Sequence, residues 1–283
     1  MPESAVVAAW ELGLRLREHR DRLDLSTSLA AAKTKTQSSN LSSVESGRKR
    51  ITAVNLAKLA KLYELEPAEL GELEALRARA ERHDWYHKYD WLYGETLLRY
   101  FGLEYGAVDE QFYENSFVPG PLQTKDYATA VVRSASPYIR LTEVEPRVET
   151  RMARRARVED DQPLRITALL TEAVLRQQIG GPEVMSAQLL DLVEMTKRPH
   201  IEVRILPFSV GAYPALGGGF HVLSFNRNRL PNIAYQETLT SVTIIESRQQ
   251  VREYAVALAE SKNLALSQQD SIDLIKEVAR EIT

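Results

Sequence analysis

The chain has 283 residues, 44% of them hydrophobic and 27% charged, with no cysteine and a net charge of −3. That length allows two domains with buried cores, and the balance excludes a disordered chain. The missing thiols exclude disulfides, thiolate nucleophiles and cysteine-ligated zinc, and the net charge taken whole argues against a polyanion binder. The average hides an asymmetry: residues 1–63 hold 11 Lys+Arg against 6 Asp+Glu, a surplus of +5, which leaves −8 for the remainder. A basic head on an acidic body directs only the head towards a polyanion. No apolar run approaches the roughly 18 residues of a membrane span. The first ten residues carry Glu3 and no basic residue, so they do not read as a signal peptide. The expected compartment is the cytoplasm.

Residues 5–63 read as short helices. Leu12, Leu16, His19 and Leu23 share one helical face. Asp24-Leu25-Ser26 breaks the pattern, and Ser26 can cap a second helix holding Leu29 to Ala32. After a polar turn from Lys33 to Thr36, a third helix is expected from Gln37 to Ser46, with Leu41 and Val44 inward. Gly47 stands where a left-handed C-cap residue belongs. Arg48-Lys49-Arg50 forms a basic loop, and Thr52 caps a fourth helix carrying Val54, Leu56, Leu59, Leu62 and Tyr63. Pro67 suits a first helical position. From Ala68 a charged helix is expected to run towards Tyr93 as a connector.

Tyr113 to Pro121 reads as a loop, and 122–133 and 143–159 as helices. Short β-branched or aromatic runs at 164–170, 201–206, 220–225, 233–236 and 242–245 predict strands, interleaved with or followed by helices near 183–197, 247–262 and 267–281. The expected class is α+β: an all-α helix-turn-helix domain over 1–66, a connector helix over 67–84, and a mixed α/β regulatory domain over 85–283.

Two short helices joined by a tight turn, the second ending in Gly and basic residues, form a device for reading DNA. Side chains at the start of the second helix reach base edges in the major groove, and basic residues beyond its end reach phosphates. The candidate base readers are Gln37, Ser38, Ser39, Asn40 and Ser43. The candidate phosphate contacts are Ser26, Thr27, Arg48, Lys49 and Arg50. The plain alternative is a helical bundle whose serine-rich third helix is only soluble surface.

The run Leu41-Ser42-Ser43-Val44-Glu45-Ser46-Gly47-Arg48-Lys49-Arg50 resembles the end of the recognition helix in xenobiotic-response-element-type, lambda-repressor-like regulators. The likeness extends back to Leu12-Gly13, Leu16-Arg17 and Leu25-Ser26. It departs from that family at Asp24, where Gly is usual, and at Ala30, Thr34 and Thr36, where apolar residues are usual. Gln37-Ser38 replaces a Ser-Gln pair, and the basic residue often found at Ser43 is missing.

A second resemblance rests on Trp85-Tyr86-His87-Lys88-Tyr89, Phe101-Gly102-Leu103-Glu104, Val118 to Ala128, Ile179-Gly180-Gly181-Pro182, Val203 to Phe208, Gly211-Ala212 and Gly217-Gly218. In this order they resemble the C-terminal domain of unknown function of actinobacterial WhiJ-like regulators, over residues 85–281. That resemblance implies a domain receiving a signal or a small partner protein. Trp85, Tyr86, Tyr89, Tyr213, Gly217 and Gly218 are the candidate receiving surface, because turns are exposed and clustered aromatics anchor interfaces. Taken singly, the turns and aromatics serve structure equally well.

Enzyme signals are weaker. His83 and His87 at i, i+4 could share a zinc ion on a helix, but Asp84 stands where the metalloprotease motif has Glu, and no third ligand is evident. The triple glycine at 217–219 lacks the Gly-Lys-Ser/Thr end of a phosphate loop. His19 reads as a core residue. Arg147, Arg151, Arg154, Arg155 and Arg157 read as a solvated helix face. The expectation is a DNA-binding regulator without metal, cofactor or catalysis, whose partners are double-stranded DNA, a second copy of itself and a small protein. The alternative is an antitoxin-like protein that holds a small partner and binds DNA only secondarily.

Overall fold

The computed structural model describes residues 4–135, 139–225 and 230–282. They divide into two compact units, one of residues 4–88 with Leu230, the other of the remaining described residues from Tyr89 on.

The first unit is all helical: α1 (Ala5–Arg22), α2 (Thr27–Thr34), α3 (Ser38–Glu45), α4 (Ala53–Leu62) and α5 (Pro67–Ala80). Ser4, Ser26 and Thr52 cap α1, α2 and α4, their side-chain oxygens accepting from Val7 N, Leu29 N and Asn55 N. Leu12, Leu16, Leu41, Leu56 and Leu59 fill one core. Leu23, expected on the inward face, is exposed at the end of α1. Where the helix-turn-helix family has Gly, Asp24 adopts φ 52°, a left-handed conformation that Asp tolerates better than most residues. Thr34, in place of an apolar residue, is buried, yet its hydroxyl meets Ala30 O at 2.9 Å and Thr36 Oγ1 at 3.0 Å. Its burial therefore leaves no orphan hydroxyl.

The expected connector is not a linker. α5 puts Leu73, Leu76 and Ala80 into the same core as α1, and Glu69 and Glu72 hold the buried Arg15 at 2.7 and 2.6 Å. It ends at Ala80 instead of running to Tyr93, and Trp85–Tyr89 forms a short 3-10 turn. The compact unit extends past the expected boundary at residue 84, to Lys88.

The second unit contains α6 (Glu95–Gly106), β1 (Asp109–Glu114), α7 (Lys125–Ser134), α8 (Leu141–Ala156), β2 (Arg165–Thr171), α9 (Glu172–Arg176), α10 (Pro182–Met195), β3 (Ile201–Leu206), β4 (Phe220–Ser224), β5 (Ile233–Glu237), β6 (Val242–Ile245), α11 (Arg248–Asn263) and α12 (Gln268–Glu281). The six strands form one sheet in the order β3-β2-β1-β4-β5-β6. β1, β2 and β3 run parallel, and β4, β5 and β6 are antiparallel to their neighbours. β1, read from the sequence partly as loop and otherwise missed, is central and lies between β2 and β4. It escaped detection because Asp-Glu-Gln-Phe-Tyr-Glu lacks the alternating apolar pattern of a strand with one wet face. The fold class is α+β, as expected.

Candidate nucleic-acid interface

α3 buries Leu41, Val44 and Glu45 and leaves a hydroxyl-rich face outside. Gln37 and Ser39 are exposed, and Ser38, Asn40 and Ser43 are half-buried. Gln37 occupies the N-cap without bonding the helix through its side chain, so its amide is uncommitted there. Ser43 Oγ donates to Ser39 O at 2.9 Å, which turns it towards its own helix. Asn40 Oδ1 accepts from Lys49 Nζ at 2.7 Å. A paired contact to adenine needs both the oxygen and the nitrogen of the amide, so reading by Asn40 requires Lys49 to let go. Ser42, one turn beyond Ser39, is also exposed; the i, i+3 spacing within the helix was the available signal for it.

The C-terminal end of α3 is set by Gly47 at φ +67°. A side chain there would strike Trp10, whose Cα would lie 2.5 Å from the added Cβ. Gly13 gives α1 the same close approach, since its Cβ would meet Val44 O at 2.2 Å. Arg48 N and Lys49 N both donate to Ser43 O, at 2.9 and 3.1 Å, which folds the basic loop back beside the helix. Arg48, Lys49 and Arg50 are all exposed. Arg50 leans within its own unit, towards Arg82 O and His87 Nε2, both at 3.4 Å. Ser26 is exposed and already accepts from Leu29 N, which leaves its hydroxyl hydrogen to donate; Thr27 beside it is half-buried.

Glu45, the one acid of α3, faces inward. Arg20 Nε and Nη2 hold its two carboxylate oxygens at 2.7 and 3.0 Å, and Arg20 Nη1 donates to Leu25 O at 2.6 Å. The outward face of α3 therefore carries no carboxylate and is flanked by three exposed cations. A polyanion would meet hydroxyls, one free amide and positive charge.

The candidate receiving residues separate. Tyr86 and Tyr89 are buried and not surface. Tyr86 OH donates to Asp84 Oδ2 at 2.8 Å and Tyr89 OH to Glu149 Oε2 at 2.9 Å, so their burial leaves the phenols satisfied. Trp85 is half-buried, and the exposed aromatic of that stretch is Trp91. His83 and His87 do not lie on one helix: His87 Nδ1 accepts from Asp84 N at 3.0 Å, and Asp84 Oδ2 also accepts from Ala5 N at 2.9 Å. Tyr213 is half-buried, with its OH 2.9 Å from Tyr113 OH. Gly217 and Gly218 are exposed, and Gly217 O accepts from the Asn115 amide. In the same loop, Phe208 and Leu216 are 62% and 61% exposed.

The arginines of α8 correct the expectation of a solvated face. Arg154 grips Glu104 with two bonds of 2.7 Å and lies over the Tyr100 ring. Arg151 donates to Gln123 Oε1 at 3.0 Å, Arg155 pairs with Asp191 at 2.8 and 2.9 Å, and the buried Arg157 donates to Tyr105 O at 3.1 Å. Their partners lie on other elements, out of reach of any local pattern.

These arginines border a buried polar network. Tyr100 OH lies 2.8 Å from Glu110 Oε1, 2.9 Å from His221 Nδ1 and 3.1 Å from Glu104 Oε1. His221 Nε2 meets Glu114 Oε1 at 3.0 Å. Sheet register assembles it, because Phe112 pairs with His221 across β1 and β4, and His221 with Tyr235 across β4 and β5. Burial, with Glu104 beside it, raises the fully buried Glu110 carboxyl to about 7. Burial pulls the His221 imidazole down, but the hydrogen bonds and charges of Glu110 and Glu114 outweigh it and bring it to about 9. Both groups therefore keep their protons to higher pH than they would in water.

Among the described residues no helix is long and apolar enough to cross a membrane, and no three His, Asp or Glu side chains gather as a metal site. Residues 97–277 match the family model of a domain of unknown function, DUF5753, and residues 11–73 match that of a helix-turn-helix domain. The second match ends within α5, the helix that completes the first core. No curated protein and no solved structure matches the chain.

Proposed function

Because the chain belongs to the DUF5753 family and carries a helix-turn-helix domain ahead of that domain, we propose that it is a sequence-specific, cytoplasmic, DNA-binding transcription regulator of the xenobiotic-response-element type. The observation that carries this reading is the outward face of α3. It is polar, its one carboxylate is turned inward onto Arg20, and Arg48, Lys49 and Arg50 stand exposed at its end. Gln37, Ser39 and Asn40 read bases, with Ser38, Ser42 and Ser43 in support. Ser26, Thr27 and the basic triplet hold phosphates.

In this reading the protein binds DNA as a homodimer and performs no catalysis. The second unit receives a small partner protein. The −5 balance of residues 89–283 favours a basic partner, and the exposed Phe208 and Leu216 supply apolar anchors. Selection of bound sequences from a random duplex pool tests the first part. One enriched motif is expected, and its loss in Gln37→Ala and Asn40→Ala supports the assignment. Equal recovery of all sequences overturns it. For the second part, full-length protein and a Phe208→Ser, Leu216→Ser variant serve as baits in the native cell. Recovery of one small basic protein by the first bait alone is the expected result.

A further inference from the structure

Of Arg147, Arg151, Arg154, Arg155 and Arg157, all but Arg151 pair with a carboxylate, on Glu143, Glu104, Asp191 and Asp160 in turn. The one bond of Arg151 among the described residues runs from Nη1 to the neutral Gln123 Oε1 at 3.0 Å, which leaves Nε and Nη2 without an acceptor there. Those two N–H groups form a side of the guanidinium that can grip a carboxylate with two parallel bonds. Burial and the charge of Arg154 hold the Arg151 guanidinium below its ordinary value, the mark of a cation short of counter-charge. Arg151 is only half-buried, so solvent reaches it.

A second free donor lies within the field of that charge. Tyr127 is fully buried and its OH accepts from Val118 N at 3.2 Å, yet its own hydrogen meets no acceptor among the described residues. A buried hydroxyl left so calls for a partner. Gln123 Nε2 donates to Val118 O at 2.7 Å, so the turn from Val118 to Gln123 holds both groups, and the Arg151 charge acts on the Tyr127 phenol. This turn follows β1. Glu114 ends β1, Phe220 opens β4 opposite Tyr113, and Tyr235 lies opposite His221, which brings Glu237 at the end of β5 to the same rim of the sheet. The chain passes from β1 to β2 on one side, while β4 flanks β1 on the other. Such a reversal of strand order at the carboxyl end of parallel strands opens a crevice where α/β sheets hold ligands. We propose that Arg151 and Tyr127 bind the carboxylate of a small organic monoanion there, with two bonds from the guanidinium fork and one from the phenol. A dianion such as phosphate fits worse, because Glu114 acts on Tyr127 and Glu237 on Arg151, and a single unpaired cation balances a single charge.

The inference concerns the second unit alone and stands whether or not the first reads DNA. Heteronuclear NMR of the full chain tests it, with sodium acetate as the probe and sodium chloride and sodium phosphate at equal ionic strength beside it. The Arg151 Nε–H signal is the one that Arg151→Lys removes, a variant that keeps the charge and loses the fork. Arg151→Met identifies the same signal if the lysine variant does not fold. In the parent, acetate is expected to shift this signal saturably, and phosphate to shift it more weakly. In Tyr127→Phe, whose fold circular dichroism verifies, half-saturation should need about tenfold more acetate. An equal shift in chloride marks general screening and overturns the site, and a tighter response to phosphate overturns the carboxylate assignment. No saturable shift with acetate also overturns the proposal, and movement of the signal in Glu237→Gln then assigns the fork to that acid.

Discussion

Two side-chain pairs decide how α3 is presented. Arg20 and Glu45 hold each other with little solvent around either, and without Glu45 the guanidinium keeps only the exposed Asp21, at 2.7 Å, as a carboxylate partner. Glu45→Gln is expected to cost about 1–3 kcal/mol of stability, read from urea unfolding followed by circular dichroism. A loss well under about 1 kcal/mol would mean that the pair does not fix α3 on α1. Lys49 and Asn40 form the second pair. If Lys49 transfers to a phosphate on DNA, Lys49→Ala lowers the salt slope of binding by about one. Asn40→Ala is expected to cost about 1–3 kcal/mol at one base position and little elsewhere. A slope unchanged by Lys49→Ala would remove that lysine from the interface.

At the scale of elements, α5 and β1 depart furthest from a local reading. α5 carries no amphipathic pattern as clear as that of α4, yet it supplies Leu73 and Leu76 to the first core. Leu73→Ala should therefore destabilise the first unit by about 2–5 kcal/mol. A fragment of residues 1–66 should show collapsed NMR dispersion where residues 1–88 show a folded spectrum. A well-dispersed 1–66 spectrum would return α5 to the role of linker.

β1 places Glu110 under Tyr100 and beside His221. The Glu110 carboxyl rises from 4.5 to about 7 and the His221 imidazole from 6.5 to about 9, so each holds its proton more tightly in the fold. Stability from a raised group is whole below its unfolded value and is lost as pH climbs through its folded value. Melting of the second unit should therefore fall in temperature as pH rises, first through about 7 and then through about 9. Glu110→Gln should flatten the first part of that decline. A profile of the same shape in the variant would place the titration on other groups.

At the scale of the molecule, a positive reading unit is joined to an acidic second unit. DNA affinity should reside wholly in the first, and residues 89–283 alone should bind no duplex at low salt. Two reading helices in one dimer would engage half-sites about one helical turn apart. Adding about five base pairs between the half-sites rotates one of them to the far side of the duplex, and binding should weaken by tenfold or more, as a band-shift titration would show. Indifference to spacing would leave each reader acting alone.

The sequence alone determined the features that depend on neighbours within a few residues. The caps at Ser26 and Thr52, the left-handed Gly47, the basic triplet and the five strands of β-branched or aromatic residues are of this kind, because propensity and capping act over one turn or one strand. Only the tertiary structure decided where charge could be buried. Glu45 needs Arg20, Glu104 needs Arg154, and Glu110 needs Tyr100 and His221, the last of these 111 residues further along the chain. A buried charge is tolerable only when its partners arrive with it. The polar strand β1 and the inward arginines of α8 therefore looked like surface until the sheet order brought their partners together.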